Sequence, residues 1–387
     1  MSERASLARR YRPVHFADVV GQRPPTALLY LMAKLRTVPG GILLAGEHGS
    51  GKTTLARILA RAMNCEMPPG PASAWPCGTC ASCTAILNDA SPDVEEVDAA
   101  SNGTVDKIRE LLDRAMYGPF GDGHRIVILD EAQGLSDSAF NALLKRLEEP
   151  PPRTVFVLVT TRPDAIPKTI RSRCSPFRFY PVPVPLIREQ LAKVCQLEGF
   201  DAEPELLTAI AGASRGAMRD ALVSLDQVAA VGITSVAMWR ELTGETDFAP
   251  ALLSAAADGD FPAMYAALAS ALASAGDPAH VTREVIRTLR DLLVLSCGAP
   301  IDAQGEELAA RHDLAARLGT ARVQAAMAVL WDLAVKVKAD DREASLSLAL
   351  AMVSRRLRPG NRVPEPIGTG GGDVASKEDI RNLLGGV

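Results

Sequence analysis

The segment Gly46-Glu47-His48-Gly49-Ser50-Gly51-Lys52-Thr53 constrains this chain more than any other stretch. It fits G-x-x-x-x-G-K-[ST] in full, with the apolar run Ile42 to Ala45 before it and a helical pattern from Leu55 to Met63 after it. The glycines let successive backbone N–H groups turn toward one set of phosphate oxygens, and the helix behind aims its positive end at the same anions. Lys52 supplies a charge to the β- and γ-phosphates, and Thr53, followed by Thr54, offers a hydroxyl to Mg²⁺. Such a loop needs a strand and a helix in fixed relation, so this part of the chain must be α/β.

The surrounding pattern agrees. Val94 to Val97, Arg125 to Asp130 and Val155 to Thr160 read as further strands. Val105 to Met116 carries a helical period, and Phe140 to Leu147 is a helix stopped before Pro150-Pro151-Pro152. Strands alternating with helices imply a parallel sheet covered on both faces. Tyr180 to Pro185 (YPVPVP) reads as a linker, because proline removes ladder donors. Helical patterns run from Leu186 to Val231, Gly244 closes that section, and 247–357 is Ala/Leu-rich and helical. Gly368 to Gly372 reads as a flexible linker and Ser376 to Leu384 as a short capped helix. The expected domains are 1–180 for nucleotide, 181–244 as a small helical domain, 245–359 as a larger one, and 360–387 as a tail.

Composition narrows the function classes. Aromatics make up 4% of the 387 residues, which argues against an all-β fold. There is no run of eighteen uncharged apolar residues and no signal-like start, so no membrane contact is expected and a cytoplasmic location follows. A net charge of −4 gives no support for nucleic-acid binding. Contact with DNA would have to use phosphates met by local features such as helix N-termini.

Two more motifs carry chemistry. Asp130 and Glu131 end an apolar strand in the manner of a Walker B element, Asp130 toward Mg²⁺ and Glu131 toward the attacking water. Cys65, Cys77, Cys80 and Cys83 fall within nineteen residues, in a Pro- and Gly-rich insertion at 65–83. Four thiolates at this spacing suit a closed, structural Zn²⁺ site, with iron–sulfur ligation as the competing reading. Cys195 and Cys297 read as core residues on helices. Arg173, in Ser172-Arg173-Cys174, and Arg219 cannot be assigned from physics alone.

Taken together these residues resemble a known family. Ala8 to Pro13, Phe16 to Gln22, the phosphate loop, Arg57 to Arg61, Asn64-Cys65-Glu66, the four cysteines, Glu96 to Ser101, Leu129-Asp130-Glu131, Phe140 to Pro151, Ser172-Arg173-Cys174 and Arg219 to Leu222 resemble the γ/τ subunits of bacterial DNA polymerase III, the clamp-loader ATPases. The resemblance covers about residues 5 to 244. It implies an AAA+ nucleotide domain with a zinc module, a helical lid and a helical collar. It implies that Arg173 is an arginine finger acting on a neighbour's ATP, that Arg219 is the sensor-2 arginine, and that Thr160 or Thr161 is sensor 1. It places Arg9, Tyr11, Arg12, Val19 and Val20 around base and ribose. The implied partners are other clamp-loader subunits, including further copies of this chain, a sliding clamp and primer–template DNA. The chain departs from the family at Ala132-Gln133, where a histidine commonly occupies the second position, and at Glu47 and His48, where small or basic residues are usual. Ending at Val387 implies a short, γ-like form, with 376–387 as a docking peptide. Two other readings stand beside this one: a non-hydrolysing structural clamp-loader subunit, or another AAA+ DNA-remodelling ATPase.

Overall fold

The structure is a computed structural model that describes residues 5–102, 105–243, 248–275, 278–301 and 305–336, with Leu350, Val353, Ser354 and Leu357. The linker, short helix and docking peptide expected beyond residue 360 lie outside the described residues. The chain divides into two compact units, Met1–Trp239 and Arg240–Val387.

The first unit is built on five parallel strands: β1 (Gly41–Ala45), β2 (Val94–Asp98), β3 (Arg125–Asp130), β4 (Thr154–Thr160) and β5 (Ser175–Arg178). Their order across the sheet is β2-β3-β4-β1-β5. The three central strands read as unbroken apolar runs because both faces are covered. On one face Leu55, Ile58, Leu59 and Met63 of the helix Lys52–Asn64 pack onto Ile42, Leu44 and Val157. On the other, Leu112, Phe140 and Leu143 pack onto Leu43, Val127 and Phe156.

Two sequence expectations change here. β5 was not foreseen, since Pro176 argues against a ladder strand; it pairs on one side only, with β1, at the sheet edge where a missing donor is tolerated. The expected linker Tyr180 to Pro185 is shorter: the helix Val184–Glu198 begins inside it, with proline in its first turn where no N–H partner is required. What remains is anchored, with Val182 buried and its N–H donating to the Gly216 carbonyl at 2.9 Å.

Three helices, Val184–Glu198, Pro204–Ala213 and Met218–Val231, enclose a separate core of Ile187, Leu191, Leu206, Ile210 and Leu225. Leu7 from the N-terminal segment joins that core. The second unit is helical throughout its described residues, from Phe248–Asp258 to Thr320–Lys336, around Leu252, Leu268, Val285, Leu289 and Leu330. Cys195 is buried as expected, but Cys297 is exposed: it follows the last turn of Pro278–Ser296, where the chain leaves the core side.

Candidate nucleotide site and cysteine cluster

The phosphate loop after β1, the acids at the end of β3 and the threonines at the end of β4 meet at the C-terminal ends of the central strands. The phosphate loop leaves β1 at Gly46, whose N–H donates to the Thr160 carbonyl at 3.2 Å. A Cβ at Gly46 would stand 2.4 Å from the Phe179 carbonyl oxygen, so only glycine fits between β1 and the segment after β5. Gly49 and Gly51 turn through left-handed backbone, φ 67° and 97°, and the helix Lys52–Asn64 starts at once. Ser50 Oγ and Lys52 Nζ each donate to the Glu47 carbonyl at 2.7 Å. Lys52 is 5% exposed; burial holds its pKa below the ordinary value, against the opposing pull of Glu131, Asp130 and Glu47. A buried ammonium with acids on one side and a loop carbonyl on the other is poised for a polyanion.

Thr53 Oγ1 donates to Asp130 Oδ2 at 2.8 Å, which joins the loop helix to the end of β3. These are the two oxygens expected to serve Mg²⁺, and they stand within one coordination shell of each other. The next residue, Glu131, has φ 47° and ψ 44°, a strained conformation for a residue with a side chain, and its carboxylate is 22% exposed. Thr160 ends β4 fully buried; its hydroxyl donates to Gln133 Oε1 at 2.6 Å and accepts from the Arg162 N–H at 3.0 Å. Thr161 Oγ1 accepts from Gln133 Nε2 at 3.3 Å. Both sensor-1 candidates thus touch the same glutamine.

The helical lid closes onto this loop through backbone. The Met218 N–H donates to the Gly49 carbonyl at 3.1 Å, and a Cβ on Gly49 would come within 2.7 Å of the Ala217 methyl. Arg219 therefore stands one residue beyond a contact with the phosphate loop. Desolvation lowers the Arg12 pKa, and the neighbouring charges of Arg57 and Arg219 lower it further, so three guanidinium groups share one neighbourhood. Arg57, which motif reading did not single out, is fixed by two bonds to Glu96 at 2.6 and 2.8 Å. It lies four residues after Thr53 on one helix face, a spacing visible in the sequence.

The N-terminal candidates separate. Val19 packs against the nucleotide-domain core, whereas Tyr11 and Val20 pack against the lid core. The Tyr11 hydroxyl is engaged by Glu198 of the lid, which also pairs with Arg10 at 2.8 Å; Arg9 is exposed.

Arg173 is not part of this cluster. Its carbonyl lies 3.0 Å from the Cβ position of Gly41, at the opposite end of β1 from the phosphate loop. Five residues of strand put roughly 13 Å between the two ends, beyond what an arginine side chain spans. Its guanidinium is held by Glu148 Oε1 at 2.7 Å and the Thr169 carbonyl at 2.9 Å. Glu148 was not recognisable as a partner beforehand, because only the fold brings the two residues together.

The cysteine insertion hangs from the far end of the phosphate-loop helix, where Cys65 is the C-cap. The sulfur atoms of Cys65, Cys77, Cys80 and Cys83 all lie within 4.8 Å of one another, and Cys77 and Cys83 are 4.0 Å apart. Tetrahedral zinc thiolates stand about 3.8 Å apart, from Zn–S bonds of about 2.3 Å. The N–H groups of Cys77, Cys80 and Cys83 point at sulfur, at 3.3 to 3.4 Å. Burial pushes the Cys77 thiol up, but the N–H groups of Cys80 and Thr79 outweigh it and bring it down to about 6. Burial raises Cys65 and Cys83. A second observation points to an anion. Arg61 is 2% exposed, and only its Nη2 is bonded, to the Val14 carbonyl; Nε and Nη1 have no partner among the described residues. Burial lowers its pKa, and the largest opposing influence is Cys83. A four-thiolate zinc centre carries two negative charges that would offset the buried cation nearby, so the residues fit zinc.

A parallel sheet in the order β2-β3-β4-β1-β5, with a phosphate loop after β1, acids at the end of β3 and a helical lid on the loop, defines an AAA+ P-loop nucleotide-binding protein. Residues 21–183 match the family described as DNA polymerase III, delta subunit, and residues 186–234 the family described as DNA polymerase III clamp loader subunit, ATPase lid domain. The chain is 38% identical over 331 residues to DNA polymerase III subunit gamma/tau of Mycobacterium tuberculosis, 82% of this chain and 56% of that one. It is 38% identical to DNA polymerase III subunit tau of Bacillus subtilis, over 75% of this chain and 52% of that one, and 42% identical to the tau subunit of Escherichia coli, over 58% and 35%. The chain thus belongs to the family of DNA polymerase III clamp-loader subunits, on its gamma/tau side, and spans about half the length of the first two of these relatives. Among solved structures, the Thermotoga maritima RuvB Holliday junction branch migration motor aligns at 20% identity and a TM-score of 0.45, over 68% of this chain and 87% of that one.

Proposed function

We propose that this chain is an ATP-hydrolysing motor subunit of a clamp loader. It couples ATP binding and hydrolysis to opening a sliding clamp and placing it on primer–template DNA, in a ring with other loader subunits and further copies of itself in the cytoplasm. The observation that carries this reading is the complete hydrolytic set, Lys52, Thr53, Asp130 and Glu131, joined by the 2.8 Å Thr53–Asp130 bond in a member of this family. A purely structural subunit has no need of it.

Within this reading the backbone N–H groups of Gly46 to Thr54 cradle the phosphates, and Lys52 exchanges its Glu47 carbonyl for a γ-phosphate oxygen. Thr53 and Asp130 would hold Mg²⁺, which would supply positive charge against the phosphates. Glu131 accepts a proton from water as the water oxygen bonds to the γ-phosphorus. The bond to the bridging oxygen breaks, and ADP and phosphate leave. Arg219 stabilises the γ-phosphate from the lid in the same chain, and Thr160 reads its presence. Arg12, Arg9, Tyr11, Val19 and Val20 bound the nucleoside side of the site. Arg173, too far from its own loop, serves a neighbour's ATP. Zinc at Cys65, Cys77, Cys80 and Cys83 is structural, with no position left for substrate.

The test is ATP hydrolysis by the assembly purified with its native partners, with and without sliding clamp and primed DNA. Hydrolysis stimulated by both, and abolished by Lys52→Ala, is the expected result. Unstimulated or absent hydrolysis would favour another AAA+ remodeller or a non-hydrolysing subunit, respectively.

A further inference from the structure

The segment that leads to the nucleoside side of the site is gripped by the cysteine insertion. The Ala17 N–H donates to the Ala72 carbonyl at 3.1 Å. The buried ring of Phe16 is stacked 6.2 Å from that of Trp75, also buried, and meets Tyr30 edge-on at 5.6 Å. The Tyr30 hydroxyl donates to the Gly70 carbonyl at 2.8 Å. From the phosphate-loop helix, Arg61 Nη2 donates to the Val14 carbonyl at 2.6 Å. Phe16, Trp75, Cys65 and Cys83 share one packed cluster, with Val19 against it.

These contacts hold residues 14–17 in the middle of the stretch assigned to base and ribose. Tyr11 and Arg12 precede the held residues, and Val19 and Val20 follow them. Val19 is tied on directly, its N–H donating to the Phe16 carbonyl at 3.3 Å across the 3₁₀ turn Phe16–Asp18. The insertion has little order of its own: from 66 to 80 it forms no helix and no strand. Such a stretch is placed by its packing and by whatever fastens its four thiols together. The Gly70 and Ala72 carbonyls and the Trp75 ring therefore depend for their positions on the meeting of Cys65, Cys77, Cys80 and Cys83.

We propose that the cysteine module braces the nucleoside side of the ATP site, with Phe16, Tyr30 and Trp75 as positioning residues, so that zinc occupancy and ATP affinity are coupled. The brace rests on the nucleoside assignment made under the proposed function and gives the metal a task beyond holding its own loop. The coupling is reciprocal: the factor by which zinc strengthens ATP binding is the factor by which ATP strengthens zinc binding. It acts on the nucleoside rather than the phosphates. The phosphate loop is fixed independently, by the Gly46 bond to Thr160 and the close fit of Gly46 against Phe179.

The experiment measures binding of Mg²⁺-ATP, with a fluorescent analogue, and of inorganic triphosphate, by competition, to the full chain. Zinc-loaded wild type is compared with zinc-stripped protein, Trp75→Leu and the milder Tyr30→Phe, which removes only the bond to Gly70. ATP is expected to bind roughly tenfold more weakly without zinc and in Trp75→Leu, an ordinary coupling between sites, and less weakened in Tyr30→Phe. Triphosphate affinity stays unchanged throughout. In the reverse direction, a saturating non-hydrolysable ATP analogue should slow zinc loss to a chromogenic chelator about tenfold in wild type, and not in Lys52→Ala. Equal weakening of ATP and triphosphate would show general loosening of the domain, and ATP affinity indifferent to zinc and to both variants would show that the segment stands unaided. Either result overturns the brace. Val19→Asp separates the brace from the assignment it rests on. If that variant binds ATP as well as wild type does, the nucleoside assignment is wrong and the brace falls with it. Weak ATP binding by Val19→Asp beside undiminished binding by zinc-stripped protein would keep the assignment and sink the brace alone.

Discussion

At the level of single residues, motif spacing and fold-dependent contacts divide cleanly. Lys52, Thr53 and Asp130 were legible because a phosphate loop and a strand-end acid have fixed local signatures, and the 2.8 Å Thr53–Asp130 contact follows from placing them on neighbouring elements. Gly46 was legible as a loop glycine, but the reason for it is non-local: its missing Cβ leaves room for the Phe179 carbonyl, 133 positions later. Gly46→Ala should therefore destabilise the first unit by about 1–3 kcal/mol, as expected for forced overpacking against backbone. Thermal unfolding checks this, and an unchanged midpoint would show that the segment after β5 can yield. Gln133 was noted only as a departure from the family, and Glu148 and Arg57 were given no site role, because their partners Thr160, Arg173 and Glu96 lie 25 to 39 positions away.

At the level of elements, the helix Lys52–Asn64 carries both chemistries: it opens on the phosphate loop and closes on Cys65. Its buried face, Leu55, Ile58, Leu59 and Met63, locks it to the sheet, so the cysteine cluster is built on a rigid element. Arg61 is the buried cation of that face and has two donors to spare. Arg61→Met should leave the fold intact but speed loss of zinc to a chelator roughly tenfold, the low end of what outer-shell partners contribute to metal affinity. Zinc retention followed by competition with a chromogenic chelator reads this directly, and an unchanged rate would show that backbone N–H groups alone balance the thiolates. The helices Lys52–Asn64, Val105–Arg114 and Asp137–Glu148 and four of the five strands were readable from apolar pattern, whereas the helix Arg23–Leu35 was not read. β5 was not, because a four-residue edge strand containing Pro176 has too little apolar pattern and draws its order from β1. Cys297 failed for a related reason: a helical period shows which residues face inward, but not where the last turn ends.

At the level of the molecule, each unit has its own hydrophobic core. The clusters of the first unit draw on residues 7 to 239 and that of the second on 249 to 357. On the reading proposed above, the motifs supply one half of a site shared between subunits. The phosphate loop sits at one end of β1 and the Arg173 backbone at the other, with the Arg173 guanidinium bonded to Glu148. If that arginine works, it works on another subunit. The most direct measurement mixes two inactive variants, Lys52→Ala and Arg173→Ala, in the assembly with native partners, and follows ATP hydrolysis. Each alone should lose clamp- and DNA-stimulated activity, Arg173→Ala while still binding ATP. The mixture should recover part of that activity, because a Lys52→Ala subunit still offers its arginine to an intact neighbouring loop. Full activity in Arg173→Ala alone, or a mixture no more active than its parts, would contradict a site completed between subunits.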